Sequence, residues 1–238
     1  MRGFDAYLHS IDPSVEVPPA GLIRHGPDRA TPYLYSEADI LRLLREADGL
    51  RPQLRAATYQ TLIGLLAVSG LRVGEAIALD SADLDLDNEL LMVRHTKFDK
   101  SRLVPLHPST LKALRRYVDL RDRTRGHPAC PALLVSSTGA RLLHSNIGLV
   151  LTQLASQAGI TRRSASCRSR IHDLRHRFAV FTVLDWYRED VDVAAMMPRL
   201  STYLGHTDPK HTYWYLSAAP ELMALAGQRL DSHLAGHP

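Results

Sequence analysis

Cysteine is scarce in this 238-residue chain: there are two, Cys130 and Cys167, and neither belongs to a CxxC pair. That excludes a disulfide framework and fits a reducing compartment. Long apolar runs are also missing. The best stretch, Leu62 to Leu71, is too short to span a bilayer. The opening MRGFDAYLHSIDP carries Asp5, His9 and Asp12 where a secretory signal needs an apolar run. There is no internal repeat and no low-complexity tract. A soluble, cytoplasmic protein with no membrane segment is expected. What is present is an ordinary globular balance, 45% hydrophobic and 23% charged, with enough apolar material for a sizeable core. The net charge is +4 and the pI about 9.2. Such a balance suits a polyanionic partner without requiring one.

Residues 2–10 read as a short amphipathic helix with Phe4, Tyr7 and Leu8 on one face. Prolines and glycines then break any pattern from Ile11 to Pro32, which reads as a linker. The main domain starts near Tyr33. Ser36 and Asp39 form a capping-box pattern ahead of a helix that ends near Gly49. A strongly apolar helix spans about 54–68 and stops at Gly70, and a short one spans about 73–79. The period then changes. Residues 90–95 and 101–106 read as two strands of a hairpin, with Lys97-Phe98-Asp99-Lys100 at or near its turn. Pro108 opens a helix to about Arg121, and Leu133 to Val135 reads as one more short strand. Helices are expected at about 145–158, 171–187, 191–204, 209–217 and 220–230. The fold class is mainly α with a small antiparallel β-sheet.

Three polar clusters interrupt this helical background. In Gly70-Leu71-Arg72-Val73-Gly74-Glu75, Arg72 opens a helix. A guanidinium there adds its fork of donors to free backbone N–H groups, a good place for a phosphate. A surface arginine paired with Glu75 is the plainer alternative. In His172-Asp173-Leu174-Arg175-His176, positions 172, 175 and 176 share one helical face. The segment also resembles the HExxH zinc motif. Asp173 is one methylene short for that chemistry, however, and Arg175 would set a positive charge beside the metal. The third cluster is Tyr203-Leu204-Gly205-His206-Thr207-Asp208-Pro209, followed by Tyr213-Trp214-Tyr215. Gly205 ends one helix and Pro209 suits the start of the next. His206 therefore lies in the bend and Tyr215 about two turns beyond it. Taken singly, these aromatics read as packing residues.

In this order the clusters resemble the tyrosine recombinase family of phage and mobile-element integrases, over roughly residues 33–230. The family pattern is an arginine in GLRxxE, a lysine in a β-hairpin, HxxR, then LGH and a tyrosine nine residues after that histidine. Here it is met by Arg72 with Glu75, Lys97, His172 with Arg175, and Leu204-Gly205-His206. Nine residues after His206 is Tyr215, whereas Tyr213 is two residues early. The resemblance implies a site-specific recombinase or integrase that cleaves and rejoins double-stranded DNA through a covalent 3′-phosphotyrosyl intermediate. No cofactor and no metal are needed. Arg72 and Arg175 would donate to non-bridging phosphate oxygens, and Tyr215 would attack phosphorus. His172 would act as general base or orienting group, Lys97 would protonate the departing 5′ oxygen, and His206 would bond a non-bridging oxygen. Glu75 would brace the arginine helix, and Lys100 is a candidate phosphate contact.

The family normally carries an N-terminal helical domain that closes a clamp on the duplex. The resemblance implies that residues 1–32 are a remnant of that core-binding domain plus linker, and 33–238 the catalytic domain with its C-terminal helix. The stretch between Arg175 and His206 is longer than in compact members. Self-association as a tetramer on paired sites is implied, with Glu221 to Leu230 as a docking helix or as packing on its own domain. The competing functional reading is a non-catalytic, truncated integrase that binds DNA and modulates recombination.

Overall fold

The computed structural model describes residues 2–19, 31–94, 101–125, 130–164, 167–206, 208, 210–217 and 227. The chain divides into two units, Met1–Ala30 and Thr31–Pro238. The first unit contains α1 (Arg2–Ile11). Its C-terminal end is closed by Asp12, which accepts from the Ser14 N–H and hydroxyl.

In the second unit, α2 (Glu37–Asp48) begins at the expected capping box: Ser36 and Asp39 satisfy each other's backbone N–H groups. Next comes α3 (Gln53–Ser69), whose apolar residues run around its whole circumference, and it is buried on nearly every side. It packs against α2, against α5 (Pro108–Arg125) and against α7 (Asp173–Arg188). A six-residue helix, α4 (Val73–Ala78), follows Arg72. The expected hairpin is a three-stranded antiparallel sheet, β1 (Leu84–Asp85), β2 (Leu90–Val93) and β3 (Arg102–Pro105), in the order β1-β2-β3. Leu91 pairs with Val104, and both are fully buried. The helices α6 (His144–Gln157), α8 (Val193–Leu204) and α9 (Lys210–Ser217) complete the described elements. The core falls into two clusters. A large one is built on α2, α3, α5, α6 and the sheet, and a smaller one lies between α7 and α8 around Val183, Met197 and Leu200.

Leu133 to Val135 departs from expectation. It forms no strand; its surroundings hold only isolated bridges, Asp80 with Ala132 and Val135 with Arg141. The Leu133 N–H donates to the Leu79 carbonyl, and side chains have taken other backbone groups of the segment. The Val135 N–H donates to Tyr117 Oη at 3.0 Å, and the Val135 carbonyl accepts from Thr58 Oγ1 at 2.9 Å. Arg121, buried on α5, donates to the carbonyls of Ala132 and Leu133. Among the described residues no helix is long and apolar enough to cross a membrane.

Candidate active site

The site begins where α3 stops. Gly70 adopts a left-handed conformation, φ 60°, and a Cβ there would sit 2.4 Å from Phe178 Cδ1. Only glycine allows both the turn and the close approach. Its carbonyl thereby points to Arg175, which donates from Nη1 at 2.8 Å.

Two residues on, Arg72 caps α4 in an extended conformation. Glu75 reaches back to accept from the Arg72 N–H at 2.9 Å and from Arg72 Nη1 at 2.7 Å. The plain pairing of Arg72 with Glu75 is therefore present, but Arg72 is not confined to it. Its Nη2 donates to the carbonyl of Gly205, 133 residues away, at 3.1 Å. Glu75 accepts from a second guanidinium, that of Arg102 on β3. Burial by itself would raise the Glu75 carboxyl. The Arg102 hydrogen bond and charge, with the Arg72 N–H and guanidinium, hold it below the usual carboxylate range.

The α8–α9 bend supplies the other wall. Gly205 is left-handed, φ 67°, and the His206 N–H closes back on Ser201 at 3.0 Å, which fixes the chain direction after the helix. His206 Nε2 lies 2.9 Å from Arg175 Nη2, and its Nδ1 lies 2.7 Å from Thr212 Oγ1 on α9. A guanidinium can only donate, so Nε2 is the acceptor and Nδ1 carries the proton toward Thr212. His206 in this arrangement is oriented at both nitrogens.

Arg175 is 1% exposed. Besides Gly70 and His206, it donates to the Leu204 carbonyl at 2.6 Å. Thus α7 ties together the end of α3 and the end of α8. His172, which precedes α7, is exposed, and its ring meets the edge of His176 at 4.8 Å. His176 in turn meets Trp214, at 5.2 Å, one residue before Tyr215. Asp173 is fully buried and faces Arg170. Its burial raises the carboxyl, opposed by the Arg170 charge. Among the described residues no group of three or more His, Cys, Asp or Glu is arranged to hold a metal.

Glu75 thus holds Arg72, which reaches the Gly205 carbonyl, while Arg175 reaches the Gly70 and Leu204 carbonyls and His206. His172 is linked to α9 through His176 and Trp214. Tyr215 belongs to α9, but its side chain lies outside the described residues, as do Lys97, Lys100 and most of 221–230. Two participants went unremarked at the level of sequence. Arg102 faces the core side of its strand, together with buried Val104, while Leu103 between them is exposed; an arginine on the apolar face of a strand was the available signal. Thr212, 1% exposed, gave no signal at all.

The phage integrase family model matches residues 35–221. The protein y4rB of Sinorhizobium fredii, named as an integrase/recombinase, is 44% identical over 237 residues, covering 97% of this chain and 76% of its own. The tyrosine recombinase XerD of Neisseria meningitidis is 31% identical over 193 residues, 81% of this chain and 60% of its own. Among solved structures, the XerA recombinase aligns with a TM-score of 0.65 at 25% identity, over 98% of this chain and 73% of its own. The XerH recombinase bound to a palindromic difH substrate aligns with a TM-score of 0.65 at 17% identity, over 96% of this chain and 64% of its own, a likeness of fold. The chain belongs to the phage integrase family, the tyrosine recombinases, and its mostly helical fold with a small antiparallel sheet is that of their catalytic domains.

Proposed function

We propose that this chain is a site-specific recombinase that cleaves and rejoins duplex DNA through Tyr215. The observation that carries the reading is the convergence of Arg72, Arg175 and His206, from three separate elements: Arg175 is at hydrogen-bonding distance of His206, and Arg72 and Arg175 donate to the adjacent carbonyls of Gly205 and Leu204. A phosphodiester resists attack because it is already negative. Two guanidiniums and an imidazole offset that charge and stabilise the more highly charged pentacoordinate transition state, the task metal ions perform elsewhere.

The Tyr215 oxygen attacks phosphorus, the bond to the 5′ oxygen breaks, and the phosphate stays on the protein as a 3′-phosphotyrosyl ester. A phenol with a pKa of about 10 is a poor nucleophile at neutral pH, so His172 accepts or orients its proton. Lys97 gives a proton to the leaving 5′ oxygen, and Lys100 contacts a neighbouring phosphate. The Arg175–His206 hydrogen bond is the one a non-bridging oxygen replaces. Arg175 donates to the phosphate, and His206 presents its Nε2 edge to the same group. Glu75 braces Arg72. A 5′ hydroxyl from another strand then reverses the attack, which exchanges strands. The partner is double-stranded DNA, engaged as a tetramer on paired sites.

The test is a suicide substrate, a duplex nicked beside the cleavage position and carrying the sequence that flanks the gene. The expected result is a covalent protein–DNA adduct, insensitive to a chelator and lost in Tyr215→Phe. Binding of that duplex with no adduct from the wild-type protein would replace this reading with the non-catalytic one.

A further inference from the structure

Arg102 lies on β3 with its side chain 15% exposed. Its Nη2 donates to Glu75 Oε2 at 2.7 Å and its Nη1 to Glu75 Oε1 at 3.3 Å. A Cβ on Gly205 would come within 3.1 Å of Arg102 Nη1 and 3.7 Å of Arg72 Nη1. Three elements, the sheet, the start of α4 and the α8–α9 bend, therefore meet on one buried carboxylate and two guanidiniums. Arg102 Nε is buried with no hydrogen-bond partner among the described residues. A residue selected only to anchor a strand would be expected to satisfy that donor.

We propose that Arg102 is a positioning residue: by sharing Glu75 it leaves Arg72 with a net positive charge to offer a DNA phosphate. The reasoning is one of charge count. Glu75 is 7% exposed at its side chain, and its hydrogen bonds to Arg72 alone would form a closed neutral pair. The second guanidinium on the same carboxylate restores one positive charge to the trio. It also occupies the carboxylate edge facing β3, so Arg72 Nη2 stays on the Gly205 carbonyl at the mouth of the bend. Removing Arg102 lets Glu75 take Arg72 for itself. Removing the Glu75 charge as well sets Arg72 free again. A strand anchor makes no such prediction, because a second deletion beside it only adds damage. The proposal rests on the strand-cleavage reading.

The experiment is a four-protein cycle: wild type, Arg102→Met, Glu75→Gln and the double variant. Each is measured for its adduct-forming rate at saturating suicide duplex and for its affinity for that duplex. Arg102→Met is expected to slow the single-turnover rate roughly 10- to 100-fold, with a smaller change in affinity. The double variant is expected to recover about tenfold of that loss. Circular dichroism verifies folding; if Arg102→Met does not fold, Arg102→Gln, which keeps a hydrogen-bond donor but loses the charge, takes its place in the cycle. Arg102→Met at the wild-type rate, or a double variant as slow as or slower than Arg102→Met, overturns the proposal. If the wild-type protein forms no adduct, the cleavage reading is what fails. The affinity cycle then decides the role of Arg102 by the same comparison.

Discussion

Gly70→Ala is the sharpest test of how the site is held. The residue is left-handed at φ 60°, which costs an L side chain roughly 1–2 kcal/mol. The added Cβ would also meet Phe178 at Cδ1, Cε1 and Cγ, at 2.4, 3.0 and 3.0 Å. Phe178 stacks on Tyr203 at 5.6 Å and packs against the α7–α8 core, so its ring has little room to withdraw. Overpacking of this kind costs about 1–3 kcal/mol. The sum, roughly 2–5 kcal/mol, is a large part of an ordinary domain's stability of about 5–15 kcal/mol. At about 3 °C per kcal/mol it lowers the melting temperature by roughly 6–15 °C. Two other glycines calibrate the measurement. Gly205→Ala has a similar φ, but its nearest neighbour is the guanidinium end of Arg102, at 3.1 Å, which needs to give by only a few tenths of an ångström; it should cost less than Gly70→Ala. A Cβ on Gly74, inside α4, meets nothing within 4 Å, so Gly74→Ala should be neutral or stabilising by about 0.5–1 kcal/mol. Urea denaturation with a common slope reads all three. The pair Gly70→Ala with Phe178→Leu should recover the overpacking share alone. Equal losses at Gly70 and Gly205, or a Gly70→Ala within about 0.5 kcal/mol of wild type, would refute the account.

The remaining predictions concern charge and orientation. Glu75 has a folded-state pKa below its unfolded value of about 4.3, so its charge contributes stability above that pH and the contribution fades as pH falls through the lowered value. The melting-temperature gap between wild type and Glu75→Gln should therefore be constant from pH 7 to 5 and shrink only below about pH 4; a gap that does not change with acid contradicts a lowered Glu75 pKa. Thr212→Val removes the group that holds the His206 Nδ1 proton. With the imidazole no longer oriented, the adduct-forming rate should fall roughly 10-fold or more, with DNA affinity little changed. An unchanged rate would show that the Thr212 contact does not orient the ring.

The parts of this protein legible in its sequence are those set by neighbours a few residues apart. Ser36 and Asp39 cap α2 across three residues, Gly70 and Gly205 end α3 and α8 by their own φ angles, and the nine-residue step from His206 to Tyr215 places that tyrosine on α9. Periodicity and turn chemistry act at that range, so helix positions and the order of the polar clusters could be read directly. Long-range pairing could not. Leu133 to Val135 has strand composition, yet Thr58, 77 residues away, and Tyr117 take the Val135 backbone groups. Helical spacing sets Arg175 on one face with His172, but its burial follows from the carbonyl of Gly70, 105 residues distant, and that of Leu204, which receive its donors. Arg102 gained its place from Glu75, 27 residues earlier. A buried charge is tolerated only where partners from other elements arrive together, and that meeting is decided by packing, which no local window of sequence contains.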